Sequence, residues 1–491
     1  MARSHQPVEL WAGIECTHNR VGNRRFDQLV RTRHRDRIDD LDALNGLGVR
    51  AVRYPVLWEH VYGDDGARRD WRWHDERLQR LRELDVTPVV GLLHHGAGPG
   101  DAGFADPRFP ERFAAFAREV AERYPWVHQY IPINEPLTTA RFCGLYGVWH
   151  PHGRDTRLFA KILMAQLRAT VLAMRAIREV VPKARLIQNE DIGFMRAVPH
   201  LQYQAEFENE RRWVTFDLLC GRLREGMPMW EVLVEAGVSE DTIAWFAEDA
   251  VRPDVVAVDT YITSERFIDD RLHLYPQWSH GTNGKDRYAD IESVRVAAQE
   301  PAGILPMLRQ AWDRYGIPMV VGEWHLGCTR EEQLRWLRDG WASVLMARNE
   351  GVDVRALTVW SVFGSYDWNT LVTQENGYYE PGLFDVRSDP PRPTALASMV
   401  RALATGESFD HPALESDGWW RRDDRFTYDP VSIDAPVPYG EPALPKVRVA
   451  ERRSLVLTGA RDALADGFAR VCSVRSLEQR EADVAEAADP A

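Results

Sequence analysis

The sequence predicts an α/β protein, a (β/α)8 TIM barrel with a short C-terminal extension. Between residue 8 and about residue 403, short apolar runs alternate with longer amphipathic ones, the pattern of βα units that feed a parallel sheet. Eight short runs can be counted, and each is followed by a helical pattern. Gly, Asp or Pro ends several helical patterns just before the next apolar run, as in Tyr315-Gly316-Ile317-Pro318.

The predicted strands are four to eight residues long and rich in Val, Ile and Leu, as expected of strands buried on both faces. In chain order they cover residues 8–15, 51–55, 88–93, 129–134, 185–188, 255–259, 319–322 and 356–360. The predicted helices cover residues 36–47, 74–84, 110–124, 158–181, 206–220, 304–315, 331–348 and 394–403. Together they assign residues 1–405 to the barrel.

Two further segments follow the barrel. Residues 406–450 are rich in Pro and Asp without periodicity and predict an extended segment that lies on the barrel or links it to something else. Residues 451–491 contain a strand-like run, Gly459 and a helical pattern, which is how a dinucleotide-binding unit begins. However, Asp462 and Ala465 occupy the next two glycine positions, and too few residues follow for a complete sheet. We expect a truncated Rossmann-like relic, non-functional or partly disordered.

The composition of the chain indicates which partners and which cellular compartment to expect. The net charge is −13 and no Lys/Arg run forms a basic stripe, so nucleic acid is not an expected partner. The five cysteines are scattered without a C-x-x-C pair, which indicates a reducing compartment. No signal-like region or membrane-length apolar run is present, so we expect a cytoplasmic protein with no membrane partner. Tryptophan (18) outnumbers Phe (17) and Tyr (15), and flat aromatic faces suit sugar rings.

Two carboxylates are placed for catalysis. Glu135, in Ile133-Asn134-Glu135-Pro136, ends the fourth strand, and Glu323 ends the seventh. Chemistry in these barrels is carried by the C-terminal ends of the strands, and strands four and seven face each other across the mouth. Paired carboxylates that flank a glycosidic bond are the apparatus of glycoside hydrolysis. Arg53, at the end of the second strand, is placed to hold Glu323 ionised as a nucleophile, which leaves Glu135 as the proton donor.

These residues and their surroundings resemble a family 1 glycoside hydrolase of the β-glucosidase type, over about residues 8–403. The similarity is carried by ordered motifs. Segment 52–58 is similar to Y-R-F-S-I-S-W, 92–95 to L-Y-H-W, 134–136 to N-E-P, 146–154 to Y-G-x-H-A-P-G-R, 254–261 to D-F-I-G-I-N-Y-Y and 360–368 to W-S-L-L-D-N-F-E-W. Ordered matches on six strands favour a shared fold and a shared chemistry.

The resemblance implies a role for each matching residue. Glu135 becomes the acid/base and Glu323 the nucleophile, with Arg53 as partner of the nucleophile. The implied ligands and platforms of the sugar are His94, Asn134, Tyr261, Trp360 and Trp368, together with Asn19 and Asp367. The last two depart from the family: Asn19, or alternatively His18, stands where the family has Gln, and Asp367 stands for the Glu of F-E-W. Because these positions hold the hydroxyls farthest from the bond that is cut, the identity of the sugar stays open.

Other readings compete at several positions. Gln374-Glu375-Asn376-Gly377 resembles the family's T-E-N-G more closely than Gly322-Glu323-Trp324-His325 does, but it follows the eighth strand, so we assign Glu375 to a loop. Glu190-Asp191, after strand five, is a rival carboxylate pair or a solvated loop. His94-His95, His150 and His152 suggest a metal, but their spacing is a weak signal, and we expect neither a metal nor another cofactor. The tail resembles the opening of a dTDP-4-dehydrorhamnose reductase domain.

The sequence thus favours a retaining glycosidase that acts on β-O-glycosidic bonds by double displacement, with a small-molecule glycoside as its partner. Retention predicts carboxyl groups about 5–5.5 Å apart, whereas inversion predicts roughly 6.5–9.5 Å. Two alternatives stay open: a non-catalytic sugar-binding protein, and a transglycosidase or tailoring enzyme for a glycosylated small molecule. The sugar, the aglycone and the oligomeric state are not given by the sequence.

Overall fold

The centre of the protein is a closed barrel of eight parallel strands, which confirms the predicted fold class. The computed structural model describes residues 7–63, 66, 68–100, 103–248 and 250–433. The barrel strands are β1 (Glu9–Gly13), β2 (Ala51–Pro55), β3 (Thr87–His94), β4 (Gln129–Asn134), β5 (Arg185–Asp191), β6 (Val255–Thr260), β7 (Met319–Trp324) and β8 (Val354–Val359). Pairing of Glu9 with Ala356 and of Trp11 with Ala51 closes the barrel at β1.

Helices surround the barrel where the amphipathic patterns predict them. Their bounds are α1 (Gln28–Arg31), α2 (Asp40–Asn45), α3 (Trp58–Tyr62), α4 (Arg72–Glu83), α5 (Phe109–Arg123), α6 (Pro136–Ala140), α7 (Thr156–Val180), α8 (Gln202–Arg211), α9 (Val214–Leu219), α10 (Pro228–Glu235), α11 (Glu240–Glu248), α12 (Ile304–Tyr315), α13 (Arg330–Asn349) and α14 (Ala395–Thr405). The single helix predicted over 206–220 is wrong, because the chain breaks between α8 and α9 at Arg212 and Trp213. Arg212 is drawn inward there, where it donates to Gln310 Oε1 at 2.6 Å.

A layer of side chains fills the interior of the barrel. Each strand contributes at least one buried apolar residue to it, so the barrel is a packed core and the site lies above this layer. The layer consists of Trp11, Ala51, Val89, Ile131, Ile187, Val255, Ala257, Val320 and Ala356. Outside the barrel, the apolar faces of the helices pack on the other face of each strand, which is why the strands read as continuous apolar runs.

A second sheet, not predicted from the sequence, lies beside the barrel mouth. Its strands are Phe194–Ala197, which follows β5, and Glu265–Asp269, His280–Thr282 and Arg287–Glu292, which lie between β6 and α12. Its own small cores include Phe267 and Ile268. One of its pairings joins Phe194–Ala197 to Glu265–Asp269, about 70 residues further along the chain, and such pairing leaves no local signal in the sequence. The other two pairings join strands that are closer in sequence.

The described part of the segment after the barrel packs against it. Trp420 contacts Trp336 of α13 edge to face, with ring centroids 5.0 Å apart, and Arg335 donates to the carbonyl of Ala413 at 2.7 Å.

The module predicted at 451–491, with its resemblance to a dinucleotide-binding unit and a reductase domain, lies outside the described residues. Cys16, Cys143 and Cys220 are free thiols. Within the described ranges, none of the helices has the length and apolar character needed to cross a membrane.

Candidate active site

Three carboxyl groups meet at the mouth of the barrel. Glu135 follows β4 directly, Glu323 lies in β7, and Asp259 lies in β6 between them. One carboxylate oxygen of each residue lies within 4.8 Å of one oxygen of each of the other two. The residues are 5%, 4% and 0% exposed, respectively. The structure therefore brings the two predicted carboxylates together and adds a third.

Glu323 is held by a cation and a phenol. Arg53 Nη1 lies 2.9 Å from Glu323 Oε1, and the Tyr261 hydroxyl donates a short hydrogen bond to Oε2. Burial raises the pKa of Glu323, while the charge of Arg53 and the Tyr261 hydrogen bond lower it. Arg53 was predicted as a partner of Glu323, whereas Tyr261 was predicted as a ligand of the sugar. Both stabilise the ionised form of this carboxylate.

Glu135 lies in a turn with left-handed backbone geometry, φ 41° and ψ 66°, that leads from β4 into α6. The carboxylate of Glu190 fixes this turn, because it accepts the backbone N–H groups of Leu137 at 2.9 Å and Thr138 at 3.1 Å. Thr215 donates to the same carboxylate at 2.7 Å. The solvated-loop reading of Glu190-Asp191 is therefore wrong: β5 extends to Asp191, and Glu190 is fully buried in a supporting position.

The environment of Glu135 favours its protonated form. Burial and the charges of Glu323 and Asp259 raise its pKa well above the usual range. His95 Nε2 lies 3.5 Å from Glu135 Oε2, but burial, with a contribution from Arg53, lowers the pKa of His95 to about 3. His95 is therefore a neutral neighbour that does not offset the negative charges. The two predicted catalytic carboxylates thus have opposite surroundings.

The predicted sugar ligands nearest the carboxylates form a connected wall. Asn134 Oδ1 accepts from Arg53 Nη2 at 2.7 Å and from Asn189 Nδ2 at 2.6 Å. The ring of His94 stacks on Trp360, with centroids 5.8 Å apart and planes 9° apart, and the Arg53 guanidinium lies 4.6 Å from the Trp360 ring. Burial lowers the pKa of His94 well below its usual range, so its ring is neutral. These contacts fix the orientation of each group before a ligand arrives.

Asn19 and Asp367, the predicted contacts of the distal hydroxyls, and Trp368, a further predicted contact of the sugar, are also at the mouth. Asn19 is buried and donates to the carbonyl of Val372 at 3.1 Å. Asp367 accepts from Arg31 Nη2 at 2.8 Å and from the Tyr378 N–H at 2.9 Å. Trp368 contacts His95 edge to face, with centroids 6.0 Å apart. Both carboxylate oxygens of Asp367 thus already have a protein donor, which its family resemblance did not indicate.

Glu375 lies in a loop, as predicted, where Arg24 Nη2 is 2.9 Å from its carboxylate.

Two groups of described residues bring three metal-binding side chains together, namely Glu135–Asp259–Glu323 and His18–Asp27–His60. In the first group Arg53 already neutralises Glu323. In the second, Asp27 accepts from His60 and caps α1. Neither group contains His94, His95, His150 or His152, the histidines whose pattern in the sequence suggested a metal site.

Sequence reasoning did not single out three buried polar residues of this site. Asp259 ends the apolar run of β6, Asn189 donates to both Asn134 and Asp259, and Glu15 accepts from Trp360 Nε1 at 3.1 Å. Burial raises the pKa of Glu15 to about 7. A signal existed for all three, because Glu15 and Asp259 end predicted barrel strands and Asn189 lies near the C-terminal end of β5.

A (β/α)8 barrel with two facing glutamates at the ends of β4 and β7 defines the class of barrel glycoside hydrolases. The family model "Glycosyl hydrolase family 1" matches residues 19–380. The chain therefore belongs to glycosyl hydrolase family 1, and it is a glycoside hydrolase.

Similar proteins agree with this assignment. Beta-glucosidase A of Thermotoga maritima is 21% identical over 390 residues, which cover 74% of this chain and 84% of that protein. Phospho-cellobiase of Klebsiella oxytoca is 22% identical over 66% of this chain and 74% of that protein. The solved structure of a family 1 β-glucosidase from Thermotoga maritima superposes with a TM-score of 0.66 at 18% identity, covering 83% of this chain and all of that one.

Proposed function

We propose that Glu323 is the nucleophile and Glu135 the acid/base of a retaining β-glycosidase. The observation that carries this proposal is the pairing of two buried carboxyls, with oxygens within 4.8 Å, in opposite environments. Arg53 and Tyr261 stabilise negative charge on Glu323, whereas burial and two neighbouring carboxylates favour a proton on Glu135. An oxygen-to-oxygen distance within 4.8 Å agrees with the roughly 5–5.5 Å carboxyl separation of retaining enzymes better than with the roughly 6.5–9.5 Å of inverting ones.

In the first step, a Glu323 oxygen attacks the anomeric carbon while the bond from that carbon to the leaving oxygen breaks. The proton on Glu135 moves to the leaving oxygen, so the aglycone departs as a neutral alcohol. As the ester forms, the negative charge on Glu323 disappears and one appears on Glu135. Arg53 and Tyr261 therefore support Glu323 most strongly before attack and again when it leaves as a carboxylate.

In the second step, Glu135 takes a proton from water and the resulting hydroxide oxygen attacks the anomeric carbon. Cleavage of the ester restores Glu323 and releases the sugar with its original configuration. Asn134, His94 and Trp360 are the proposed contacts of the reacting sugar, and Asn19, Asp367 and Trp368 are the proposed contacts of its far end. The names of the relatives favour a β-glucoside or a related β-glycoside as substrate.

Covalent trapping tests the proposal. Intact-mass spectrometry after incubation with a panel of 2-deoxy-2-fluoro β-glycosides should show one added sugar, and peptide mapping should place it on Glu323. The Glu323→Gln variant should not be labelled, whereas Glu375→Gln, which changes the look-alike motif, should be. No adduct with any sugar, together with no turnover of the matching aryl glycosides, would refute the proposal and favour a sugar-binding protein.

A further inference from the structure

Asp259 is a third carboxyl group in the catalytic cluster, and the proposed reaction has not yet used it. It is completely buried and lies opposite Asp191 of β5 on one side and Glu323 of β7 on the other. The resembling family motif D-F-I-G-I-N-Y-Y has an uncharged Asn at this position. The sequence therefore places an extra acid where an amide would fill the same space.

The backbone around Asp259 is shaped to admit its side chain. A Cβ atom on Gly322 would lie 2.2 Å from Asp259 Oδ1, so only glycine leaves room at that position. Asn189 donates to Oδ2, and Arg53 Nη1 lies 3.8 Å from the same oxygen. Oδ1 has no hydrogen-bond donor among the described residues. One oxygen of Asp259 is thus held by the protein, and the other is available to a proton donor.

The charges around the cluster do not balance if every carboxyl group is ionised. Arg53 is the cation in direct contact, and its closest carboxylate is Glu323 at 2.9 Å. Arg53 Nη1 is farther from Asp259, at 3.8 Å, and no other Lys or Arg of the described residues forms an ion pair with Glu135 or Asp259. Two adjacent buried carboxyl groups in such surroundings retain a proton between them. The other titratable or charged groups that face this pair are Glu190, Asp191, Tyr261, the neutral His95, and Arg141, whose charge acts on Glu190 and Asp191.

We propose that Asp259 is a positioning residue for the catalytic proton: Glu135 donates that proton in a hydrogen bond to Asp259, whose negative charge retains it until a glycosidic oxygen takes it. The open Oδ1 of Asp259, the placement of one oxygen of each group within 4.8 Å of the other, and the rise that the Asp259 charge causes in the pKa of Glu135 agree with this arrangement. The inference rests on the proposed role of Glu135 as acid/base.

The arrangement also explains how the charge moves during turnover. When Glu323 becomes an ester it loses its negative charge, and Glu135 gains one as it gives up its proton, so the total charge of the cluster is unchanged. The ionised Glu135 then lies beside the ionised Asp259, and their repulsion makes Glu135 a stronger base toward water. Asp259 thus favours the protonated acid in the first step and the proton-accepting base in the second.

The pH profile of an Asp259→Asn variant tests the inference. Loss of the neighbouring charge should lower the pKa of Glu135, so the alkaline limb of kcat/KM should move to lower pH by about one unit or more. Asp259→Ser, which also removes the charge but adds no amide, should move the limb in the same direction. Glu332→Gln removes a buried carboxyl of α13, outside the site, that accepts the N–H of Trp419 at 3.1 Å, and should leave the alkaline limb in place.

An alkaline limb that stays unchanged, or moves upward, in both Asp259 variants would overturn the inference. If neither variant folds, infrared spectra of the wild type and of Glu135→Gln show whether Glu135 carries a proton. The difference between wild type and Glu135→Gln near neutral pH should contain the C=O stretch of a protonated carboxyl, and a carboxylate band in its place would refute the inference. Trapping at Glu323 separates the two failures: labelled protein with an unmoved limb contradicts only the role of Asp259, whereas unlabelled protein contradicts the proposed function itself.

Discussion

Arg53 Nη1 lies 2.9 Å from Glu323 Oε1, across the barrel mouth from one strand end to another. The same guanidinium donates to the Gly322 carbonyl at 2.8 Å and to Asn134 Oδ1 at 2.7 Å. One buried cation therefore fixes the ends of β2, β4 and β7 relative to one another. Because both partners are buried, loss of either leaves an uncompensated charge, which is far more costly than loss of a surface ion pair.

Arg53→Met should shift the acid limb of kcat/KM to higher pH by about 1–3 units. Burial already raises the pKa of Glu323 and Arg53 lowers it, so without the cation Glu323 stays protonated, and inactive as a nucleophile, over a wider range. Arg53→Lys keeps the charge but not the planar fork, and should shift the limb less. A pH–rate profile of each variant measures the effect, and an acid limb that does not move would argue against Glu323 as the ionised nucleophile.

Glu135→Ala should reduce kcat/KM for aryl glycosides with poor leaving groups by about 10²–10⁴-fold, because the leaving oxygen then departs without a proton. Substrates with strongly activated phenols should lose much less in the first step. Added azide should restore turnover of these activated substrates and form a β-glycosyl azide, since a small anion needs no general base. Glu375→Gln is the matched control and should behave like wild type, and equal losses with good and poor leaving groups would contradict the acid role.

Glu190→Gln should flatten the pH dependence of stability between about pH 4.5 and pH 7. Burial raises the pKa of Glu190 from 4.5 to about 7, so the folded protein keeps a proton that the unfolded chain releases in this window. The resulting stabilisation is complete below the unfolded pKa and is lost as the pH rises through the folded one. The amount is on the order of 3 kcal/mol.

Urea unfolding of the wild type and the variant at about pH 5 and pH 8 gives the free energy of unfolding at each pH. The contribution of Glu190 is the difference between the two proteins in how much this free energy changes with pH. The exposed Glu240→Gln serves as the control and should show the wild-type dependence. A variant with an unchanged slope would mean that Glu190 ionises normally in the folded protein.

Arg31→Met should weaken glycoside binding more than it slows the chemical step. The ion pair between Arg31 and the buried Asp367 is 2.8 Å long, and its loss leaves a carboxylate oxygen without its charged donor. The expected loss of stability is about 1–3 kcal/mol, with a raised KM and a smaller change in kcat. A double-mutant cycle with Asp367→Asn, which removes both charges, should recover part of the stability. Additive effects of the two substitutions would show that the pair is not coupled.

The sequence was most informative where a local pattern fixes the position of a residue. Apolar runs bounded by Gly, Asp or Pro predicted all eight barrel strands, and the strand ends placed Glu135, Glu323 and Arg53 at one mouth. It failed where position depends on distant segments. One pairing of the side sheet joins strands about 70 residues apart, and the helix predicted over 206–220 breaks where Arg212 turns inward to Gln310. The individual roles of the site residues remain predictions.

The sequence by itself determined the barrel, the order of its strands and the family, because apolar periodicity and the residues at strand ends are local properties of the chain. Only the tertiary structure decided the chemical state of the site. Whether a carboxyl group is ionised depends on burial and on charges a few ångströms away, and these come from different strands. The sequence could name Glu135 and Glu323, but the packing of Asp259 between them, Glu190 beneath the turn, and Arg31 against Asp367 appears only when the barrel closes.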